Sequence, residues 1–133
     1  MQKKIFIPIP ADVEEIGKAV LDAAFKVHTA LGPGLLESVY ETTLAYELRK
    51  NGLSVTTQVA MPITYEGTKL ETAFRLDLLV EDRVIVELKA VEKMNPIYEA
   101  QLLTYLRLSK IRLGYLINFF VPRLKHGIKR MVV

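Results

Sequence analysis

The stretch that decides the fold is Arg75–Ala90, RLDLLVEDRVIVELKA. It reads as two apolar strands around a charged turn, Glu81-Asp82-Arg83. Asp77 interrupts the first strand, and Glu87 and Lys89 lie late in the second. Side chains alternate between the faces of a strand. Alternation sets Asp77 with Arg75 and Leu79, opposed by Leu76, Leu78 and Val80. It sets Glu87 and Lys89 with Ile85, opposed by Val84, Val86 and Leu88. With a three-residue turn, Val80 pairs with Val84, Asp77 with Glu87, and Arg75 with Lys89. Opposed Cβ atoms stand about 4.5–5.5 Å apart. This register predicts two carboxylates side by side, with a lysine one step along the same face. A two-residue turn would shift the pairing by one and break that alignment.

Two adjacent carboxylates repel if both ionise. A divalent cation between them removes the penalty, and hard cations such as magnesium take oxygen ligands. The Leu88 carbonyl is a further oxygen at the same point, and a lysine beside a metal-bound water could orient or help deprotonate it. A cross-strand salt bridge of Lys89 with Asp77 or Glu87 on an exposed face accounts for the same three residues by a purely structural route.

Working outward, Pro8 and Pro10 oppose a helix over residues 1–10. Asp12 and Glu15 have the spacing of a capping box. Val13, Ile16, Val20, Ala23, Val27 and Leu31 then repeat at helical spacing, up to the Leu31–Gly34 break. A second helix is predicted from about Leu35 to Lys50, ended by Asn51-Gly52. Short strands follow at Ser54–Val59, Pro62–Tyr65 and Lys69–Phe74, before the opening stretch. Asn95-Pro96 reads as the N-cap and first residue of a helix over Ile97–Leu108. Leu113–Val121 is nearly all apolar, as in a strand covered on both faces. If Leu116–Val121 were a sheet edge it could pair with another copy as a homodimer. The tail carries Arg123, Lys125, Lys129 and Arg130, a solvated basic segment or a source of phosphate contacts. The element order indicates one α/β domain over residues 1–133, a mixed sheet flanked by helices.

Three more positions bear on chemistry. At about 100° per residue, Glu37 falls on the apolar face of the second helix near Leu44, so it is expected to point into the protein. Gln101 and Tyr105 stand one turn apart on the third helix, with Tyr98 on the same side. His28 borders an apolar stripe and reads as a packed histidine.

The 133 residues suffice for one core, and half are hydrophobic. The net charge of +3 permits a nucleic-acid partner without requiring one. No cysteine is present, which excludes disulfides, zinc–thiolate sites and cysteine nucleophiles and fits a cytoplasmic protein. No run approaches the length of a membrane span, and the N-terminus does not read as a secretory signal. Phosphate-binding glycine loops, His-Glu metal motifs and nucleophile elbows are all missing.

The segments VHTALGPGLLESVY, RLDLLVEDRVIVELKAVE, EAQLLTYL and LGYLINF together resemble the GxxExxY family, whose motif stands here as Gly34, Glu37 and Tyr40. That family looks like a branch of the PD-(D/E)XK nuclease superfamily. The resemblance implies a restriction-endonuclease-like mixed central β-sheet flanked by α-helices. It implies that Asp77 is the motif aspartate, with Leu76 in place of proline, and that Glu87 and Lys89 form the (D/E)XK part. Glu37 matches the acidic residue of the first core helix, and Gln101 and Tyr105 match a Q-x-x-x-Y element. The expectation is a Mg2+-dependent nuclease, with Mn2+ as substitute, cutting nucleic acid, DNA before RNA. Asp77, Glu87, the Leu88 carbonyl and Glu37 would hold the metal. Lys89, Gln101 and Tyr105 would complete the catalytic set. A non-catalytic nucleic-acid- or protein-binding module on the same fold is the alternative.

Overall fold

Pro10 holds the chain out of helix until Ala11, and from there α1 runs Ala11–Leu31. The computed structural model describes residues 7–133, so Met1–Phe6 of the segment expected to be extended lie outside the described residues. The capping box does not form. The Pro10 carbonyl accepts from Val13 N and Glu14 N, each at 3.0 Å, and itself opens the helix. Asp12 therefore falls inside the first turn, where it pairs with Arg83 at 3.3 Å. Gly32, at φ 71, ends α1 by donating its N–H to His28 O. The second helix, α2, is Glu37–Lys50, slightly shorter than predicted because Leu36 is still extended.

The sheet has five strands in the order β1-β2-β3-β4-β5: Val55–Tyr65, Thr68–Val80, Val84–Lys89, Leu113–Asn118 and Ile128–Val132. The short strands predicted before the opening stretch are fused. Ser54–Val59 and Pro62–Tyr65 make one strand whose register shifts between Met61 and Ile63. Pro62 has no N–H to give the ladder, and β2 bulges opposite it at Glu71–Ala73 before both strands continue. Lys69–Phe74 likewise runs on into Arg75–Val80. The turn at 81–83 has the predicted three residues, since Val80 pairs with Val84 and Arg83 N donates to Val80 O at 3.0 Å. After β3, Asn95 Oδ1 accepts from Ile97 N at 3.0 Å and starts α3, Pro96–Ser109. This helix is the crossover that lets β4 lie parallel to β3.

Helices α1 and α2 cover one face of the sheet. Val20, Val27, Tyr40 and Leu44 pack there with Leu78, Val80, Val84, Val86 and Leu88. Leu102 and Leu106 of α3 cover the other face against Leu76, Leu79, Ile85 and Leu116. Strand β4 is buried throughout because it has a neighbour on each side and a helix on each face. It is not an edge, so the basis for expecting a homodimer through Leu116–Val121 is removed. The segment read as a basic tail supplies that neighbour: a 3-10 turn at Leu124–His126 leads into β5, antiparallel to β4. Among the described residues no helix is long and apolar enough to cross a membrane.

Candidate active site

Besides the register shift at Pro62, the sheet is irregular at Asp77. Leu78 and Val80 belong to the core under α1 and α2, whereas Leu76 and Phe74 pack on the α3 side. Strict alternation would give Leu76 and Leu78 the same face, as the sequence reading expected. The paired strand does the same: Val55 lies with the α1–α2 core, Val59 and Met61 with the α3 side. The β1–β2 ribbon thus turns over between Thr57–Leu78 and Val59–Leu76, the two pairs that flank Gln58 and Asp77. Gln58 has φ 52 and no strand partner. A positive φ in a long side chain is uncommon and costs about 1–3 kcal/mol, so it persists only where surrounding contacts fix it.

The turnover frees Asp77 from both ladders. Pairing of β2 with β3 stops at Leu78–Val86, and carboxylates take over from carbonyls. Glu87 Oε2 accepts the Asp77 N–H at 3.0 Å, and Asp77 Oδ2 accepts the Leu88 N–H at 2.9 Å. The predicted juxtaposition of Asp77 and Glu87 is therefore present, held by reciprocal hydrogen bonds to backbone rather than by strand pairing. Gln58 Nε2 donates to Glu41 Oε1 of α2 at 2.6 Å and reaches Asp77 Oδ1 at 3.5 Å. It ties the helix to Asp77. Sequence reasoning missed Gln58 and Glu41. Counting the β1–β2 register back from the Glu66-Gly67 turn would have set Gln58 opposite Asp77 only if the Pro62 bulge had been included.

Glu87 is 8% exposed. Burial, then the charge of Asp77 and a hydrogen bond to it, push its carboxyl up to about 9. Lys89 shares the α3-facing side of β3. Its Nζ lies 4.3 Å from the ring centroid of Tyr98, a cation–π contact. Among the described residues Lys89 forms no ion pair. The salt-bridge account of Asp77, Glu87 and Lys89 is overturned, because the carboxylates are engaged by backbone N–H groups and the ammonium rests on an aromatic face. Tyr105 stacks on Phe74 with centroids 4.7 Å apart. Its hydroxyl pKa is raised by burial and by the charges of Glu87 and Asp77, against an opposing hydrogen bond from Gln101. It stays a protonated donor next to the acidic pair. Gln101 itself is exposed. The ring on which Lys89 rests is that of Tyr98.

Glu37 departs from expectation. The buried part of α2 begins at Tyr40, and Glu37, in the first turn, is exposed. It still lies within range of the pair. Its carboxyl is raised first by partial shielding and then by the charge of Asp77, with Lys89 acting in the opposite sense. Among the described residues no three Asp, Glu, His or Cys side chains form a preassembled metal cluster.

The donors that do converge suit a hard divalent cation. They are two carboxylates and a carbonyl: an extended residue points its N–H and C=O to the same side, so the Leu88 carbonyl faces Asp77 as its N–H does. Burial first and the charge of Asp77 second raise the Glu87 carboxyl, and such an ion would offset both.

Asn118 at the end of β4 shapes the rim. It is 2% exposed, and sequence reasoning passed over it. Its Oδ1 accepts from Val91 N and Phe120 N, each at 3.1 Å, and its Nδ2 donates to Val91 O at 2.9 Å. One side chain thus pins together the loops leaving β3 and β4. His28 is a packed residue, as expected; its Nε2 donates to Val121 O at 2.8 Å.

A family profile for the PD-(D/E)XK nuclease superfamily matches residues 14–131. Among solved structures, the crystal structure of SSO0001 superposes with a TM-score of 0.55 at 20% identity. The match covers 91% of this chain and 60% of that one, so the chain spans less than two thirds of that protein's length and the likeness is one of fold. No curated protein matches.

Proposed function

The chain belongs to the PD-(D/E)XK nuclease superfamily, and on that premise we propose that it is a divalent-cation-dependent phosphodiesterase acting on nucleic acid, DNA before RNA. The observation that carries this reading is the reciprocal Asp77–Glu87 arrangement at the ribbon turnover, with Lys89 beside it and free of any ion pair among the described residues. Asp77, Glu87 and the Leu88 carbonyl would hold the ion, with Glu37 contributing through water. Magnesium, or manganese in its place, would supply Lewis acidity toward a phosphodiester oxygen and toward water.

The chain's own groups do the rest. Lys89 holds its charge where negative charge develops on the phosphate, and Tyr98 fixes the ammonium. Tyr105 keeps its proton and offers a donor to the phosphate, steadied by Gln101. We assign the chain further to the GxxExxY group. Gly34 sits at φ 101, a backbone state that favours glycine. The Tyr40 hydroxyl donates to Gly32 O at 2.6 Å and accepts from Leu35 N at 3.1 Å, which fixes the loop that delivers Glu37.

The test is cleavage of labelled DNA and RNA by pure protein with Mg2+ or Mn2+. Cutting is expected, and Lys89→Ala and Asp77→Asn are expected to reduce it at least about a hundredfold while melting as folded proteins. Failure to cut linear, nicked, single-stranded or branched DNA, or RNA, with either ion refutes the catalytic reading.

A further inference from the structure

We propose that the groove between the end of α1 and the loop after β4 binds an unpaired nucleic-acid strand beside the scissile phosphodiester. The inference rests on the nucleic-acid reading above. The groove is an open cavity of about 460 Å³ lined by Phe25, Gly32, Pro33, Arg123, Leu124 and Lys125 among others, with no acidic residue in its wall. Phe25 and Phe120 are 41% and 37% exposed, unusual for phenylalanines in a chain with this well-filled a core. The Phe120 ring lies beside Gly34, the residue that follows Gly32 and Pro33 of the groove wall. Arg123 and Lys125 form no ion pair among the described residues. Apolar ring faces with cations free for phosphate are what a single strand needs, since its bases expose their faces for stacking and its backbone seeks positive charge. A duplex hides those faces.

The walls are fixed in advance. Tyr40 stacks on Phe119 with centroids 4.5 Å apart while its hydroxyl holds the Gly32 carbonyl. A carbonyl can only accept, so His28 Nε2 carries the proton it donates to Val121 O, which clamps the opposite wall to α1. Both walls lead into the site. The Gly32–Leu36 loop runs straight into Glu37, and Phe119 N donates to Lys89 O at 2.9 Å. A strand lying in the groove therefore continues over Glu37 and Lys89 toward the Asp77–Glu87 pair.

Fluorescence anisotropy with a labelled oligothymidylate, in EDTA so that nothing is cut, tests this. The single strand is expected to bind at least about tenfold tighter than the same strand in a blunt duplex. Phe25→Ala is expected to weaken strand binding about tenfold through lost stacking. The double variant R123A/K125A is expected to weaken it and lower the slope of log affinity against log salt by about 1.4, at roughly 0.7 per phosphate contact. All three side chains are exposed, so melting temperatures are expected to stay put. Duplex binding equal to or tighter than strand binding overturns the proposal. So does unchanged affinity and salt slope in the variants. Should a variant misfold, the strand preference and salt slope of the unmodified protein still decide. Strand binding that depends on the groove, without cleavage of any of the DNA and RNA substrates above with Mg2+ or Mn2+, refutes the nuclease reading alone. Cleavage with binding indifferent to these side chains overturns the groove alone.

Discussion

Replacing Glu87 by glutamine should make the metal-free protein less sensitive to alkali. In the folded chain the Glu87 carboxyl is held up to about 9 by burial and by Asp77, against an ordinary value of 4.5. The folded state keeps a proton that the unfolded chain has released, so protonation favours folding. That contribution is fully present below about pH 4.5 and drains away as pH rises toward about 9. At about 1.4 kcal/mol per pH unit, the loss between pH 5 and pH 8 is about 4 kcal/mol. This is a large share of the roughly 5–15 kcal/mol that stabilises a domain. Glutamine keeps an oxygen for the Asp77 N–H, now accepted at 3.0 Å, and has no proton to lose. The assay is thermal melting of both proteins in EDTA at pH values between these limits. Every other titrating group is common to both, so the difference between the curves reports Glu87 together with its coupling to Asp77. The gap in melting temperature should widen in favour of the variant by about 10–15 °C from pH 5 to pH 8. Two curves that stay parallel would refute the reasoning, because they would mean that the carboxyl is neither buried nor coupled to Asp77 as described.

Other outcomes follow from the same geometry. Gln58→Gly keeps the positive φ and loses only the amide, so it should melt within about 1 kcal/mol of the parent yet bind Mn2+ more weakly; Gln58→Val, β-branched at that φ, should lose about 1–3 kcal/mol. Asn118→Ala removes three hydrogen bonds from a buried side chain and should cost about 3 kcal/mol in denaturant melts. Tyr98→Leu releases the Lys89 ammonium and should slow cleavage about tenfold while leaving cation affinity in calorimetry unchanged.

Much of this was legible in the sequence because it depends on period-2 alternation, a turn count and helix punctuation. The three-residue turn at 81–83 alone specified that Asp77 faces Glu87. Asn95-Pro96 marked the start of α3 correctly because its cap is a local hydrogen bond. The errors lie where tertiary structure overrides a local rule. Leu76 changed face because the ribbon turns over at Gln58 and Asp77, and no periodicity announces a paired irregularity. Glu37 was assigned inward by helical angle, but the angle does not say where along α2 the core begins. The strand β5 was hidden by Lys129 and Arg130, which a short edge strand tolerates. The salt-bridge alternative paired Lys89 with Asp77 or Glu87. The lysine meets Tyr98, a contact fixed by how α3 crosses the sheet.

The central claim is that Asp77 and Glu87 together form a divalent-cation site. Calorimetric titration of Mn2+ into the protein at pH 8 tests it most directly, with Asp77→Asn and Glu87→Gln alongside. The account predicts a saturable site in the parent, accompanied by proton release as Glu87 ionises, and its loss in both variants. A parent protein that binds no Mn2+, or a Glu87→Gln variant that binds it as tightly as the parent, would contradict the account.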